Sequence, residues 1–141
     1  MKILHLDTTH PFLGKELEKI GFTNHYDFDT LKSNLKLSIY FGIIIRSRIS
    51  IDRDFIDRSK NLKFIARIGS GTENIDVDYA EKRGVKIIST PEGNSNAVGE
   101  HSLGMLLSLL NNINSSSKEV QNGIWKRESN RGFELKNKTV G

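Results

Sequence analysis

The sequence predicts an α/β protein built on a doubly wound parallel β-sheet. Segments typical of strands and of helices alternate about every ten to twenty residues through the first ninety positions, which favours right-handed βαβ units. Residues 42–45, Gly-Ile-Ile-Ile, form an uninterrupted apolar run, typical of a strand buried on both faces of a parallel sheet. A chain of 141 residues with 36% hydrophobic and 27% charged residues has the composition of one globular domain.

The first four elements are predicted from apolar spacing and from turn residues. Residues 2–7 form a short apolar strand that ends in a polar loop. The helix that follows is indicated by four apolar side chains at helical spacing before Gly21, namely Phe12, Leu13, Leu17 and Ile20. A second strand is predicted at residues 22–28 and a short helix at residues 30–37.

The elements after the apolar strand at residues 42–45 continue the alternation. An acidic residue begins a short helix at residues 52–59 and caps it. The remaining three elements are a strand at residues 62–68, a helix at residues 75–83 that Gly84 closes, and a strand at residues 85–88.

Beyond Pro91 the pattern changes to one long helix at residues 96–113. Six apolar residues recur on one of its faces: Val98, Met105, Leu106, Leu109, Leu110 and Ile113. Leu103 and Leu107 fall outside that face, so the helix is apolar on more than one side, and we expect more than one neighbour to bury it. Residues 139–141 have the character of the beginning of a strand.

Composition and charge exclude several classes of function. The 21 basic and 17 acidic residues give a net charge of +4, and the basic residues are scattered among acids, so no stripe for a nucleic acid is present. No apolar run reaches the roughly eighteen residues of a membrane span, and none near the start suits a secretory segment, so we expect a cytoplasmic protein. The absence of cysteine excludes disulfides and thiolate metal sites. The mild positive charge suits a small anionic ligand.

Two arginines after the apolar strand are the first candidates for ligand binding. Arg46, Ser47 and Arg48 stand at the carboxyl end of residues 42–45, where ligands bind in open α/β sheets. Two guanidinium groups with a hydroxyl between them suit a carboxylate or a phosphate, and Arg48 could share the anion with Arg46. The alternative, favoured by spacing alone, is that both arginines are solvated loop charges.

A glycine-flanked loop, Gly69-Ser70-Gly71, is the second candidate. It lies between a strand and a helix, but it fails the dinucleotide-binding fingerprint because Asn74 takes the position of the third glycine. Its backbone N–H groups would point at whatever lies before the next helix. The loop is therefore either an anion cradle or a tight turn.

The third candidate is Asn94, between the last strand and the long helix. It either hydrogen-bonds a ligand or caps the helix, and its chemistry alone favours capping. His101, on the long helix, is expected to be a packed or exposed residue and not a ligand or a base. No Ser/His/Asp set and no metal-ligand spacing emerges from the sequence.

Five short motifs between residues 66 and 110 occur in the order and spacing of one known family. They are glycine-x-glycine-threonine at 69–72, asparagine-isoleucine-aspartate at 74–76, arginine-glycine-valine at 83–85, asparagine-serine at 94–95 and glutamate-histidine at 100–101. This run resembles the N-terminal half of the D-isomer-specific 2-hydroxyacid dehydrogenases, and residues 123–126 and 134–141 also resemble that family.

The resemblance implies a flavodoxin-like, five-stranded parallel sheet followed by a long hinge helix. Residues 1–95 would be the substrate-binding domain, residues 96–122 the hinge or interdomain helix, and residues 123–141 a linker and the start of an NAD-binding domain of Rossmann type. That cofactor domain, its glycine-rich loop and the family's catalytic arginine, glutamate and histidine are expected to lie outside this chain.

The resemblance also implies which residues bind substrate and cofactor. By motif match, the substrate-binding residues are Arg46, Ser47, Ser70, Gly71 and Asn94. The first two would lie at the anionic far end of a small 2-hydroxyacid, and Ser70 and Gly71 would offer backbone N–H groups to its carboxylate. Ser70 and Ser95 would approach the nicotinamide of NAD. No metal and no catalytic residue is expected in this chain.

The implied activity is NAD-dependent oxidation of a D-2-hydroxyacid, with the greatest likeness to family members that oxidise 3-phosphoglycerate in serine biosynthesis. A glyoxylate or hydroxypyruvate reductase is an alternative of the same class. A dehydrogenase-like binding module of the corepressor type is an alternative outside it. The parent protein is expected to be a homo-oligomer, and this chain alone is expected to be inactive and to self-associate through residues 96–113.

Overall fold

A computed structural model of the chain describes residues 1–28 and 35–141, in two compact units, Met1–Asn94 and Ser95–Gly141. Most of the helix predicted at residues 30–37 lies outside the described residues. A single 3₁₀ turn at Leu37–Ile39 leads from there into the next strand.

The first unit is built on five parallel strands. They are β1 (Lys2–His5), β2 (Thr23–Tyr26), β3 (Tyr40–Ile45), β4 (Phe64–Arg67) and β5 (Lys86–Ser89). Their order in the sheet is β2-β1-β3-β4-β5, and every neighbouring pair is parallel. This is the flavodoxin-like order, which confirms the predicted fold class.

In the described ranges 1–28 and 35–141, three α-helices lie between these strands: α1 (Pro11–Lys19), α2 (Arg53–Arg58) and α3 (Val77–Lys82). Asp52 caps α2 by accepting a hydrogen bond from the Phe55 backbone N–H at 2.9 Å, as the sequence predicts. Asp76 caps α3 in the same way, through the Tyr79 N–H at 3.1 Å. The α3 helix begins later than predicted, because Asp76 acts as its cap and Ile75 forms a short bridge with Ile51.

The core of the first unit lies around its central strands. Ile43, Ile44 and Ile45 of β3 are at most 2% exposed, which confirms that this strand is buried on both faces. The register pairs the end of each central strand with its neighbour, so that Ile45 lies beside Arg67 and Arg67 beside Ser89. The carboxyl ends of these strands therefore meet at one edge of the sheet.

The second unit contains two helices where the sequence predicts one. The helix predicted at residues 96–113 forms as α4 (Ser95–Leu110) and is followed by a separate α5 (Ile113–Gln121). The prediction was wrong at the C-terminal end because Asn112 adopts a left-handed conformation, with φ of 51°, which cannot continue a right-handed helix. Residues 139–141 form no strand, since no neighbouring strand pairs with them.

No residue of the second unit is buried. Its two helices leave large apolar side chains in contact with solvent, among them Met105 at 61% and Leu109 at 75% exposure. No helix in the described part of the chain is both long and apolar enough to span a membrane.

Candidate functional site

Four loops meet at one edge of the sheet because all five strands run in the same direction. These loops follow β1, β3, β4 and β5, which are successive neighbours in the sheet, and together they are called here the carboxyl edge. Open α/β sheets bind their ligands at this edge. Hydrogen bonds join each of the four loops to the next.

Asp7 joins the loop after β1 to the loop after β3. Its Oδ2 atom accepts a hydrogen bond from the Arg46 backbone N–H at 2.6 Å, and its Oδ1 atom accepts one from Arg48 Nε at 3.0 Å. The Arg48 guanidinium also donates to the carbonyl of Leu6. Arg48 is thus paired with a carboxylate of the protein itself.

Arg46 combines a fixed backbone with an exposed side chain. Its N–H is held by Asp7, and its carbonyl accepts a hydrogen bond from Asn74 Nδ2 at 3.1 Å. Within the described ranges 1–28 and 35–141, its guanidinium group has no hydrogen bond and no ion pair. Ser47 is exposed beside it. An unpaired guanidinium on an anchored backbone suits the binding of an external anion.

Asn74 joins the loop after β3 to the loop after β4. Its Nδ2 donates to the carbonyls of Arg46 and of Ile49, the latter at 2.7 Å. Its own backbone carbonyl accepts from the Ile51 N–H at 2.8 Å, and its Oδ1 is buried without a partner. The residue that breaks the dinucleotide-binding fingerprint therefore holds the two candidate loops together.

The loop after β4 requires glycine at position 69. Gly69 has φ of +143°, a conformation that other residues rarely adopt. A Cβ atom at Gly69 would lie 1.6 Å from Nη1 of Arg67, and one at Gly71 would lie 2.0 Å from Oε2 of Glu73. The backbone of this loop therefore lies against two charged side chains, the mostly buried Arg67 and the exposed Glu73.

Arg67 is a residue of this edge that sequence reasoning missed. It ends β4, its side chain is only 14% exposed, and its Nη2 lies 3.8 Å from Oε1 of Glu73. Its Nε is buried without a partner. The sequence assigned Arg67 to the strand alone. The signal that could have found it is a charge at the end of an otherwise apolar strand, next to a glycine loop.

Ser70 and Asn94 are brought together, although 24 positions separate them. The Ser70 hydroxyl donates to Asn94 Oδ1 at 3.0 Å. Beside this contact, the Gly69 N–H donates to Thr90 Oγ1 at 3.1 Å and the Thr90 N–H donates to the Gly69 carbonyl at 2.9 Å. The structure thus gives the Asn94 oxygen a partner in the glycine loop. Ser95 is the first residue of α4 and belongs to the second unit.

Two titratable groups near this edge have shifted pKa values. Burial lowers the pKa of His5, the last residue of β1, and its hydrogen bond to Asn24 opposes that shift in part. The hydrogen bond from Arg53, at 3.0 Å, lowers the pKa of Asp76, assisted by the Tyr79 N–H. Neither shift produces a base poised near neutral pH on the four loops.

The chemistry offered by the carboxyl edge is anion binding. It presents the unpaired Arg46 guanidinium, backbone N–H groups of the glycine loop and the exposed polar side chains of Ser47, Ser70 and Asn94. Among the residues that the structure describes, no group of three or more His, Asp or Glu side chains could hold a metal ion. The groups that the edge presents can hold and orient an acidic ligand.

Comparison with known proteins gives the family. Residues 3–129 match the family model described as "D-isomer specific 2-hydroxyacid dehydrogenase, catalytic domain". The D-3-phosphoglycerate dehydrogenase of Methanocaldococcus jannaschii is 32% identical over 142 residues, which is 100% of this chain and 27% of that protein. The hydroxypyruvate reductase of Thermotoga maritima is 35% identical over 99 residues, 70% of this chain and 32% of that protein.

A solved structure shows the same fold. The NAD-bound 3-phosphoglycerate dehydrogenase of Entamoeba histolytica matches with a TM-score of 0.65 and 26% identity, over 79% of this chain and 39% of that one. The chain spans about a quarter of the length of the curated relatives it matches. With a family match over most of its residues, the chain belongs to the D-isomer specific 2-hydroxyacid dehydrogenase family, in the region of that family's catalytic domain.

Proposed function

We propose that this chain is the substrate-binding part of an NAD-dependent D-2-hydroxyacid dehydrogenase whose substrate is 3-phosphoglycerate. The observation that carries the proposal is the exposed, unpaired Arg46 side chain on a backbone fixed from both sides. The names of relatives support the substrate, since the Methanocaldococcus protein, which matches the whole chain, is a D-3-phosphoglycerate dehydrogenase.

In this proposal each candidate residue has a separate task. Arg46 and Ser47 bind the phosphate, because a guanidinium gives a phosphate paired, charge-assisted hydrogen bonds. Ser70 and Gly71 offer backbone N–H groups to the carboxylate, which glycine allows to approach closely. Asn94, held beside Ser70, contacts the substrate through its amide.

The chain's own contribution to cofactor binding is small. Ser70 and Ser95 are the two residues proposed to approach the nicotinamide, and both are exposed. NAD, when bound, would accept a hydride from C2 of the hydroxyacid, and the acid/base group for that step is not among this chain's proposed residues. We therefore expect no turnover and no tight NAD binding by this chain alone.

A hydroxypyruvate or glyoxylate reductase is the second candidate function. It is favoured by the Thermotoga relative, which is a hydroxypyruvate reductase. The two functions differ in whether the far end of the ligand carries a phosphate, and therefore in how much Arg46 contributes to binding. A non-enzymatic binding module would use the same edge without the cofactor.

The proposal extends to partners and location. The α4 helix, with no buried residue, is proposed to pack on a cofactor domain in the parent protein and to mediate self-association of this chain. A homo-oligomeric parent, a cytoplasmic location and the absence of nucleic-acid binding remain predictions from the sequence.

Ligand titrations followed by NMR test the proposed function. D-3-phosphoglycerate should shift the backbone resonances of residues 46–47 and 70–71, and Arg46→Ala should weaken its binding about tenfold or more, because a lost hydrogen bond to a charged group costs about 1.5–3 kcal/mol. Arg46→Ala should barely change the binding of D-glycerate, because that ligand lacks the phosphate.

Arg83→Ala is the matched control for that titration. Arg83 pairs with Asp57 at the end of α3, which leads into the amino end of β5, so it lies away from the carboxyl edge. Equal effects of Arg46→Ala on D-3-phosphoglycerate and D-glycerate would favour the second candidate, and no effect on either would refute an anion site at Arg46. Micromolar binding of NAD by the chain would contradict the proposed division of tasks.

A further inference from the structure

One buried acid of the carboxyl edge has no task in the proposed binding scheme. Asp7 follows β1 and is 7% exposed, and it is the one Asp or Glu that is buried in the described ranges 1–28 and 35–141. A buried carboxylate is costly unless charged or polar partners compensate it. Such a residue is therefore expected to have a specific structural task.

Both oxygens of Asp7 are used on the same short loop. Oδ2 accepts the Arg46 N–H at 2.6 Å and Oδ1 accepts Arg48 Nε at 3.0 Å. These two contacts flank Ser47 and span about forty positions of sequence, from the loop after β1 to the loop after β3. The carboxylate thereby fixes the point from which the Arg46 side chain leaves the backbone.

We propose that Asp7 is the positioning residue for Arg46, which it aims at the anionic end of the ligand, and that Arg48 serves to balance the charge of Asp7. This inference rests on the proposed function, because it takes Arg46 to be the residue that binds the anion. It assigns the two arginines different tasks: Arg46 binds the ligand, and Arg48 forms the ion pair that compensates the charge of Asp7. Asp7 itself does not touch the ligand.

Electrostatics and positioning predict opposite effects of removing this carboxylate. Asp7 carries a negative charge close to a site for an anion, so its loss would strengthen anion binding if charge alone mattered. Its loss would also leave the Arg48 charge uncompensated, which acts in the same direction. If Asp7 acts by fixing the backbone of Arg46, its loss weakens binding instead, because the guanidinium is no longer held in place.

The test measures D-3-phosphoglycerate binding to the 141-residue chain by NMR titration, for the wild type and five variants. Asp7→Ala should weaken binding about tenfold, the scale of a lost charged hydrogen bond. Asp7→Asn should weaken it less, because the amide oxygen still accepts from the Arg46 N–H but lacks the charge. The amide proton of Arg46 should move upfield in Asp7→Ala, which reports the lost hydrogen bond, and should move less in Asp7→Asn, which keeps a neutral acceptor.

A double variant tests whether Asp7 acts through Arg46. Once Arg46→Ala has removed the guanidinium, adding Asp7→Asn should not weaken binding further, because no side chain is left to position and the loss of a negative charge favours an anion. The control is Asp57→Asn, which breaks an ion pair of similar length, 3.1 Å to Arg83, between α2 and α3. It should leave binding unchanged.

The outcomes separate this inference from the proposed function. Unchanged or tighter binding by an Asp7 variant whose Arg46 amide proton has moved upfield, while Arg46→Ala weakens binding, would overturn the positioning role and leave the proposed function intact. No effect of Arg46→Ala would overturn both. Because Asp7→Ala removes a buried group, thermal unfolding is measured for every variant, and Asp7→Asn, which has nearly the same shape, decides the result if Asp7→Ala does not fold.

Discussion

The two compact units of the chain differ in whether they bury apolar side chains. The first unit closes a core around β1, β3 and β4, with most of its isoleucines and leucines at a few per cent exposure or less. In the second unit no residue is buried, although eight of the sixteen residues of α4 are apolar. Apolar composition alone therefore does not make a core. The second unit therefore contains an apolar helix, α4, whose large side chains are not buried by other residues of that unit.

The largest difference between the two units should be in how much stability is lost when an apolar side chain is truncated to alanine. Ile43→Ala in β3, at 0% exposure, should lower the free energy of unfolding by about 2–5 kcal/mol, because it leaves a cavity among packed side chains. Leu109→Ala in α4, at 75% exposure, should change it by less than about 0.5 kcal/mol. Urea denaturation followed by circular dichroism measures both. Equal losses would show that Leu109 is covered in solution.

The second-largest expected effect is self-association of the chain through the exposed apolar residues of α4. Each large apolar side chain that leaves water contributes about 1.5–3 kcal/mol, so several such residues on α4 favour pairing of two chains. Sedimentation velocity should show an oligomer that grows with concentration. Leu109→Glu should reduce it, whereas Lys60→Glu, an exposed position on the first unit, should not. A wild-type monomer at high concentration would contradict the prediction.

The smallest expected effect is a pH dependence confined to the first unit. Asn24 donates both amide protons elsewhere, to Gly14 and Glu18, so its oxygen accepts from Nε2–H of His5 at 2.8 Å. Nδ1 of His5 is buried without a partner, and burial lowers the pKa of this group below 6.5. Protonation would therefore bury a charged donor that has no acceptor.

The sign of that pH effect follows from proton linkage. Because the folded pKa of His5 is lowered, the unfolded chain binds more protons than the folded chain below about pH 6.5. The stability that depends on neutral His5 is complete above that pH and decreases as the pH falls through the folded pKa. His5→Gln keeps a donor for Asn24 but does not titrate. It should flatten the pH dependence of the melting temperature between about pH 7 and 5, and an unchanged slope would exclude His5 as its source.

Local patterns in the sequence predicted most of the first unit. The β-branched run of β3, the acidic cap of α2 and the glycine after α3 each act on neighbouring residues, so the sequence order carries the signal. The contacts at the carboxyl edge could not be predicted in this way, because they join residues that are far apart in the sequence. Asp7 and Arg46 are 39 positions apart, and Asn74 and Arg46 are 28 apart, so no spacing rule connects them.

The candidate binding residues were first identified from their positions after strands, and the resemblance then favoured ligand binding over a solvated loop charge, a tight turn or a helix cap. Arg67 was missed because its place in a strand pattern explained it fully, and its burial became visible only with Glu73 and the glycine loop folded around it. The end of α4 was misplaced because Leu110 and Ile113 continue a helical apolar pattern across Asn112, whose backbone conformation no apolar pattern encodes.

The contact between Ser70 and Asn94 fixes which of these two side chains can donate a hydrogen bond to a ligand and which can accept one. The single hydroxyl proton of Ser70 is spent on Asn94 Oδ1, which leaves the serine oxygen as an acceptor only. The two protons of Asn94 Nδ2 have no partner in the described part of the chain, so that amide is a donor. A 2-hydroxyacid carries one group that only accepts, its carboxylate, and one that can donate, its hydroxyl. Paired side chains of fixed and opposite polarity would distinguish the two ends of such a ligand, and would admit only one of its orientations.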